Sequence, residues 1–377
     1  MGPFRLEGVS GKGARAGILR FPSGLEVRTP LFMPVATKMC VRTLDPDELR
    51  LTGTEAVITN GFLSSLEPGS GTIRSSGGMH RIMGWEGGIF SDSGGFQLIR
   101  KGFDARISEE GVSLRSPFNG ERVMIGPEDV VDMHFSHGVD VGMVLDHCPP
   151  YPSGRDAVED SANRTVYWAR RSALRAHDPE TEELLPEGRP PPLLFGITQG
   201  GIFKDIRKRC TRKLVDIDLP GYGIGGLSIG ESKDDTFRAL EASTSILPED
   251  RPRYFMGVGD PDDVIRSVLA GVDVFDSVFP TRNARHGSLF IPGSRINIRN
   301  RKWKGSSEPI MQGCSCATCR RFTMGYLHHL FRAGEVLGPR LATIHNLHFM
   351  QDLIKELRSM IIDDGLNDIV SVSSLFE

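Results

Sequence analysis

A closed α/β barrel of eight parallel strands is the fold this sequence predicts, and two observations carry that expectation. Eight short apolar or β-branched runs recur along the chain, each bounded by Gly, Pro or Asp, as buried strands should be. Helix-like segments lie between several of them, and strands alternating with helices favour a parallel sheet, which at eight strands closes rather than staying open. A chain of 377 residues suits one such barrel with insertions, and a hydrophobic content of 39% supplies its core.

In order, the runs are "LFMPVA" from Leu31, "AVIT" from Ala56, "GIFSD" from Gly88, "VGMVLD" from Val141, "LLFGIT" from Leu193, "YGIGGL" from Tyr222, "RYFMGVG" from Arg253 and "VDVFDSV" from Val272. Among the intervening helices, "GPEDVVDMHFSHG" has Pro127 near its start and Gly138 as its stop, and "DPDDVIRSVLAG" has Asp260 as N-cap, Pro261 in the first turn and Gly271 at its end. "DDTFRALEASTSIL" is a third. The long third interval holds "ISEEGVSLRSPFNGERVMI", two strand-like pieces about Asn119-Gly120 that read as an inserted hairpin. "DPETEELLPEGRPPP" reads as a surface loop. No stretch of some 18 uninterrupted apolar residues occurs, and "MGPFRLEGVSGKGARAG" has no apolar signal core, so a soluble, cytoplasmic protein is expected.

The net charge of −3 argues against indiscriminate nucleic-acid binding. Its distribution is uneven. After Asp276 come some thirty residues without an acid, carrying Arg282, Arg285, Arg295, Arg299, Arg301, Lys302 and Lys304, a local field able to meet phosphates within a Debye length.

Barrel active sites lie where strands end, and three acids follow apolar runs directly: Asp92 in "FSDSGGFQ", Asp146 in "VLDHCPPYP" and Asp276 in "VFDSVFPTR". Singly, each would pass for a loop cap; together they point to one site. Gly94 and Gly95 allow close backbone approach to a ligand, Gln199 of "GITQGG" ends another strand, and Gly225 and Gly226 offer amides to a carbonyl oxygen. The "GIGG" stretch lacks the spacing of a dinucleotide fingerprint, which excludes a nicotinamide cofactor. "CSCATC" sets Cys314, Cys316 and Cys319 in one tight loop, a metal pattern that needs a fourth ligand from His328, His329, His345 or His348. A closed four-ligand zinc site would be structural.

Together "DSGGFQ", "GITQGG", "GGLSIGES", "YFMGVG", "FDSVFPTRNARHG", "CSCATC" and "HNL" resemble the tRNA-guanine transglycosylase (queuine tRNA-ribosyltransferase) family in its bacterial form, over most of the chain. The resemblance implies a (β/α)8 TIM barrel, residues 1–280 and 346–377, with a zinc-binding, tRNA-contacting subdomain, residues 281–345, inserted before the last helix. It implies replacement of guanine by a 7-deazaguanine at the wobble position of tRNA bearing a G-U-N anticodon. Asp276 matches the nucleophile, Asp92 the general acid/base, and Asp146 the carboxylate that grips the guanine-like edge. Gln199 and the Gly226 amide match donors to the base carbonyl, the Leu227 carbonyl the acceptor for a substituent amine, and Phe96 the aromatic stacked on the base. Arg282 and Arg285 match readers of the anticodon bases; Cys314, Cys316, Cys319 and His345 match the zinc ligands. A homodimer is implied, the segment after the cysteines helping to form its interface; Phe322, Tyr326 and His329 there stand at i, i+4 and i+7, which fits one helical face or plain packing against the barrel.

Ile229 stands where queuine-accepting enzymes carry a small glycine, and Cys148 beside the base-binding acid is bacterial in kind, so 7-aminomethyl-7-deazaguanine is the expected base, ahead of 7-cyano-7-deazaguanine or queuine. Two departures stand out. "NGFLS", Asn60 to Ser64, replaces the family's N-T-Y-H-L, and Asp260 replaces a basic residue. Rival readings are a non-catalytic partner subunit, a barrel glycosidase or nucleosidase, and base exchange on DNA or at another tRNA site.

Overall fold

The computed structural model describes residues 2–11, 13–94, 104–116, 118, 120–363 and 373–375. Its strands in chain order are β1 (Phe4–Ser10), β2 (Ala14–Arg20), β3 (Glu26–Thr29), β4 (Leu31–Ala36), β5 (Ala56–Asn60), β6 (Gly88–Asp92), β7 (Arg106–Ile107), β8 (Val112–Arg115), β9 (Arg122–Ile125), β10 (Val141–Met143), β11 (Leu193–Thr198), β12 (Gly221–Ile224), β13 (Arg253–Phe255), β14 (Val274–Ser277), β15 (Ser288–Ile291) and β16 (Ser294–Asn297).

All eight apolar runs become barrel strands. β4, β5, β6 and β10 to β14 form a closed barrel in chain order, with β14 pairing parallel to β4 and Asp276 opposite Met33. The strands are buried along nearly their whole length, because helices cover their outer faces. Inside, Phe90 packs edge-on against both Phe195 and Tyr254, ring centroids 5.9 Å apart in each pair, so the barrel is filled rather than hollow.

β1, β2 and β3 form an antiparallel sheet across the N-terminal ends of the barrel strands. Arg15 of β2 makes a buried ion pair with Asp273, just before β14, at 2.9 Å, and donates to the carbonyls of Glu249 and Arg251 before β13. Phe21 packs edge-on against Phe90. With this end closed, any ligand must enter at the other.

The insertion between β6 and β10 is a three-stranded antiparallel sheet, β7-β8-β9, rather than a two-stranded hairpin. The additional pair, Arg106 to Ile107, is too short to register as a strand pattern. Asn119 of the expected turn lies outside the described residues. The sheet buries Val112, Leu114 and Ile125 against Phe62 and Trp168, and Trp168 and Arg171 of the Arg155–Ala176 helix donate to the Glu109 carbonyl. The "DPETEELLPEGRPPP" stretch is not wholly loop: Pro179–Glu182 forms a helical turn capped by the Asp178 side chain, the Asp-Pro pair acting as a helix start.

Between β14 and the long helix Leu337–Ile362 lie the basic helix Phe279–Arg285, the β15-β16 hairpin and the helices Ala317–Arg321 and Met324–Ala333. Asn346 fastens them. Its side chain donates to the carbonyls of Pro280 and Ser288, at 3.1 and 3.0 Å, and accepts from the Phe290 amide. The helix Leu337–Ile362 runs unbroken through residues 345 and 346. The single helical face expected for Phe322, Tyr326 and His329 is interrupted: Phe322 is extended, at φ −130°, between two helices. Its ring nevertheless stacks on Tyr326, centroids 5.6 Å apart.

Candidate active site and metal centre

The three acids predicted from strand ends converge at the open end of the barrel. Asp92, Asp146 and Asp276 line one cavity of about 410 Å³, together with Cys148, Gly225, Gly226, Leu227, Ile229, Tyr254 and Gly257. Gln199 is fully buried and lines an adjoining cavity of about 120 Å³, and Gly226 and Ile229 border both spaces. Phe96 and Gly95 lie outside the described residues.

The carboxylates differ in their settings. Asp276 Oδ1 accepts from the Tyr254 hydroxyl at 2.6 Å and the Gly257 amide at 2.7 Å. Burial pushes its pKa up and these two bonds, which favour the charged form, pull it back. Among the described residues both donors fall on Oδ1. Asp92, at the end of β6, is pushed up to about 8, first by burial and then by the charge of Asp276; the Gly94 amide opposes this and the Asp146 charge adds to it. It is therefore largely protonated at neutral pH, a carboxylic acid able to give a proton. Asp146 is pushed up to about 6 by burial, against the stabilising hydrogen bond from Gln199 Nε2 at 2.6 Å.

Neighbouring loops aim backbone groups at the same space. Glu231 accepts from the amides of Ser228 and Ile229, the latter at 2.9 Å, and from Thr236 Oγ1. In a planar trans peptide the carbonyl opposes the N–H, so drawing the Ser228 N–H toward Glu231 turns the Leu227 carbonyl away from it. Gly226 has φ +68°, and a Cβ there would stand 2.2 Å from Gln199 Oε1, so glycine is required on both counts. Gln199 Nε2 donates one bond to Asp146, and its buried Oε1 has no partner among the described residues.

The unusual "NGFLS" segment takes a definite shape. Asn60 ends β5, its Oδ1 caps the short helix Gly61–Ser64 by accepting from Leu63, and its Nδ2 donates to Asp92 at 3.4 Å. A Cβ at Gly61 would meet Ser91 Oγ at 2.5 Å and the Asp92 carbonyl at 2.8 Å, so glycine lets the segment press against the acid. Asn60, Tyr254, Gly257 and Glu231 went unassigned in the sequence. Only Glu231, two residues beyond Ile229 in a glycine-rich stretch, carried a local signal.

Arg282 and Arg285 project from the Phe279–Arg285 helix that follows Asp276 directly. Burial lowers the Arg285 pKa, as do the nearby charges of Arg42 and Arg282; none of the three has a salt bridge among the described residues. Farther along the stripe, Arg295 sits near Asp260, at 3.9 Å, and over the Phe279 ring, while Arg299 donates to the Phe331 carbonyl. Arg301, Lys302 and Lys304 are exposed.

Of the four candidate histidines, His345 joins the cysteines. Its Nδ1 stands 3.9, 3.7 and 3.4 Å from the sulfurs of Cys314, Cys316 and Cys319, and all four donor atoms lie within 4.8 Å of one another. A tetrahedral zinc with Zn–S near 2.3 Å and Zn–N near 2.0–2.1 Å requires about 3.6 Å between sulfur and nitrogen, so the donor set fits the ion. His345 Nε2 donates to the Phe290 carbonyl at 2.8 Å, which fixes the tautomer that leaves Nδ1 free to bind metal. His328 instead bonds the Ile298 carbonyl, and His348 bonds Ser315 and pairs with Asp352. Four protein ligands leave no open position, so zinc here would brace structure. No described helix is long and apolar enough to cross a membrane.

Residues 10–373 match the family model described as queuine tRNA-ribosyltransferase. The chain is 45% identical over 357 residues to the queuine tRNA-ribosyltransferase of Desulforudis audaxviator, covering 94% of this chain and 93% of that protein. It is 43% identical over 368 residues to the enzyme of the same name from Hydrogenovibrio crunogenus, covering 98% and 96%.

Proposed function

Because this chain belongs to the queuine tRNA-ribosyltransferase family, we propose that it is a tRNA-guanine transglycosylase replacing guanine at the wobble position of tRNA with a G-U-N anticodon by 7-aminomethyl-7-deazaguanine. The observation that carries this reading is the convergence of Asp92, Asp146 and Asp276 in one cavity with unequal acidities.

Those settings support the following steps. Asp276 Oδ2 attacks the ribose anomeric carbon; the C–O ester bond forms, the C1′–N9 bond breaks, and the departing guanine takes a proton from Asp92. The incoming base gives its proton to Asp92 and attacks the same carbon, expelling Asp276. Two inversions retain the stereochemistry, the double displacement of retaining glycosidases. Asp146 accepts from N1–H and the 2-amino group of the guanine-like edge, and the Gly226 N–H, with Gln199 once its amide turns from Asp146, donates to the 6-oxygen. The Leu227 carbonyl takes the substituent amine. Ile229, on the border of the two cavities, keeps the larger substituent of queuine out of the second. In this reading the unit 281–345, held by zinc, presents Arg282 and Arg285 to the anticodon of cytoplasmic tRNA, and the chain acts as a homodimer.

The test is exchange of radiolabelled guanine. Wild-type protein should label a tRNA with a G-U-N anticodon and fail with one whose wobble guanine is replaced. Labelling of DNA instead, or release of guanine without incorporation, would overturn the reading.

A further inference from the structure

Arg207 is a buried guanidinium with no carboxylate in salt-bridge reach among the described residues. It lies on the Lys204–Val215 helix, fully enclosed, behind the two loops that carry Gln199 and Gly226. Burying a cation is costly unless its donors are satisfied, and here they meet three backbone carbonyls and the hydroxyls of Thr198 and Ser243. Nε donates to the Gly201 carbonyl at 3.0 Å and one terminal nitrogen to the Gly225 carbonyl at 3.0 Å; the other is 3.5 Å from the Thr198 carbonyl and 3.4 Å from its hydroxyl. The Thr198 carbonyl also accepts from the Gly225 amide. One planar fork therefore ties the end of β11 to the end of β12.

The direction of one of these bonds matters. The Gly225 carbonyl and the Gly226 N–H belong to the same planar peptide and point opposite ways. Holding the carbonyl back onto Arg207, which does not line either cavity, turns the Gly226 N–H forward. Glycines at 225 and 226 leave this peptide free to rotate otherwise, Gly226 already standing at φ +68°. We infer that Arg207 is a positioning residue that aims the Gly226 amide at the 6-oxygen of the bound base and so sets the preference for 6-oxopurines.

This inference rests on the transglycosylase reading for the base's identity but is tested by binding alone. Guanine and 2-aminopurine, which lacks the 6-oxygen, are titrated by calorimetry against wild type, Arg207→Lys and Arg207→Gln. The loss of N1–H in 2-aminopurine is common to all three proteins and cancels in the cycle. Lysine keeps the charge but loses the fork; glutamine offers a two-donor amide without charge. The expected result is a roughly three- to tenfold loss of guanine affinity in both variants, the worth of one aimed hydrogen bond, with 2-aminopurine and the tRNA KM within about twofold of wild type. Equal losses for both bases would make Arg207 a packing residue and overturn the inference, as would wild type that binds the two bases equally. Guanine binding by a wild type that exchanges nothing into tRNA would sink the transglycosylase reading instead, leaving the role of Arg207 to be decided by the same titrations.

Discussion

Tyr254→Phe removes one of the two hydrogen bonds on Asp276 and little else, since the buried ring keeps its packing against Phe90. The lost contact, a 2.6 Å bond from a hydroxyl to a carboxylate, belongs to a class that contributes roughly 1.5–3 kcal/mol. At about 1.4 kcal/mol per factor of ten, that is roughly 10- to 150-fold in the ionisation constant of Asp276, felt as lost activity only where the carboxyl is protonated. The sign follows from the chemistry. The hydroxyl favours the charged form, so its removal raises the pKa; the nucleophile must be charged, so activity falls on the acid side and returns as pH rises. In the proposed mechanism the alkaline limb belongs to Asp92, which would have to be protonated and whose pKa burial and the Asp276 charge push up to about 8. Guanine exchange measured from about pH 5 to 9 should therefore show a narrower bell, its acid limb displaced upward and its alkaline limb in place. A fall of equal size at every pH, or movement of the alkaline limb alone, would refute the assignment of Asp276 as nucleophile and Asp92 as acid.

Asp92→Asn should lower exchange by about 10²–10⁴-fold and abolish the alkaline limb, which the same pH profile checks. Cys319→Ala should lose bound zinc, read by metal analysis; because His345 and Asn346 adjoin on one helix and Asn346 holds the Pro280 carbonyl, KM for tRNA should rise more than KM for guanine. Arg285→Ala should weaken tRNA binding and reduce the slope of log K against log salt by about 0.7–0.9 if it meets one phosphate, measured by filter binding across a salt series. Ile229→Gly should let queuine compete with guanine, which inhibition of guanine exchange will show.

The parts of the fold carried by short-range pattern were legible. Eight apolar runs named eight barrel strands, and acids directly after three of them named the carboxylates, because a strand end is both a local pattern and a place in the barrel. The three-cysteine loop named three members of the cluster that could hold a metal for the same reason, while spacing alone left its histidine to be found by the fold. What escaped depends on pairing between distant segments. Tyr254 meets Asp276 because β13 and β14 are neighbours; Asn60 meets Asp92 because the register of β5 on β6 sets them opposite. Nothing in "YFMGVG" or "NGFLS" states those partners. Arg207 is hidden more deeply, as one of several basic residues on a helix otherwise resembling a solvated surface. The break at Phe322 escaped because its spacing to Tyr326 and His329 fits a helix whether or not the chain stays helical between them.

The central claim is that Asp276 becomes bonded to the ribose. The most direct measurement is denaturing electrophoresis of wild-type protein incubated with end-labelled tRNA bearing a G-U-N anticodon, beside Asp276→Asn. The account predicts a slow-migrating protein–RNA band with wild type that disappears when guanine is added in excess and is absent from the variant. A band of equal strength in Asp276→Asn, or guanine exchange by wild type through a single inversion with no such adduct, would contradict it.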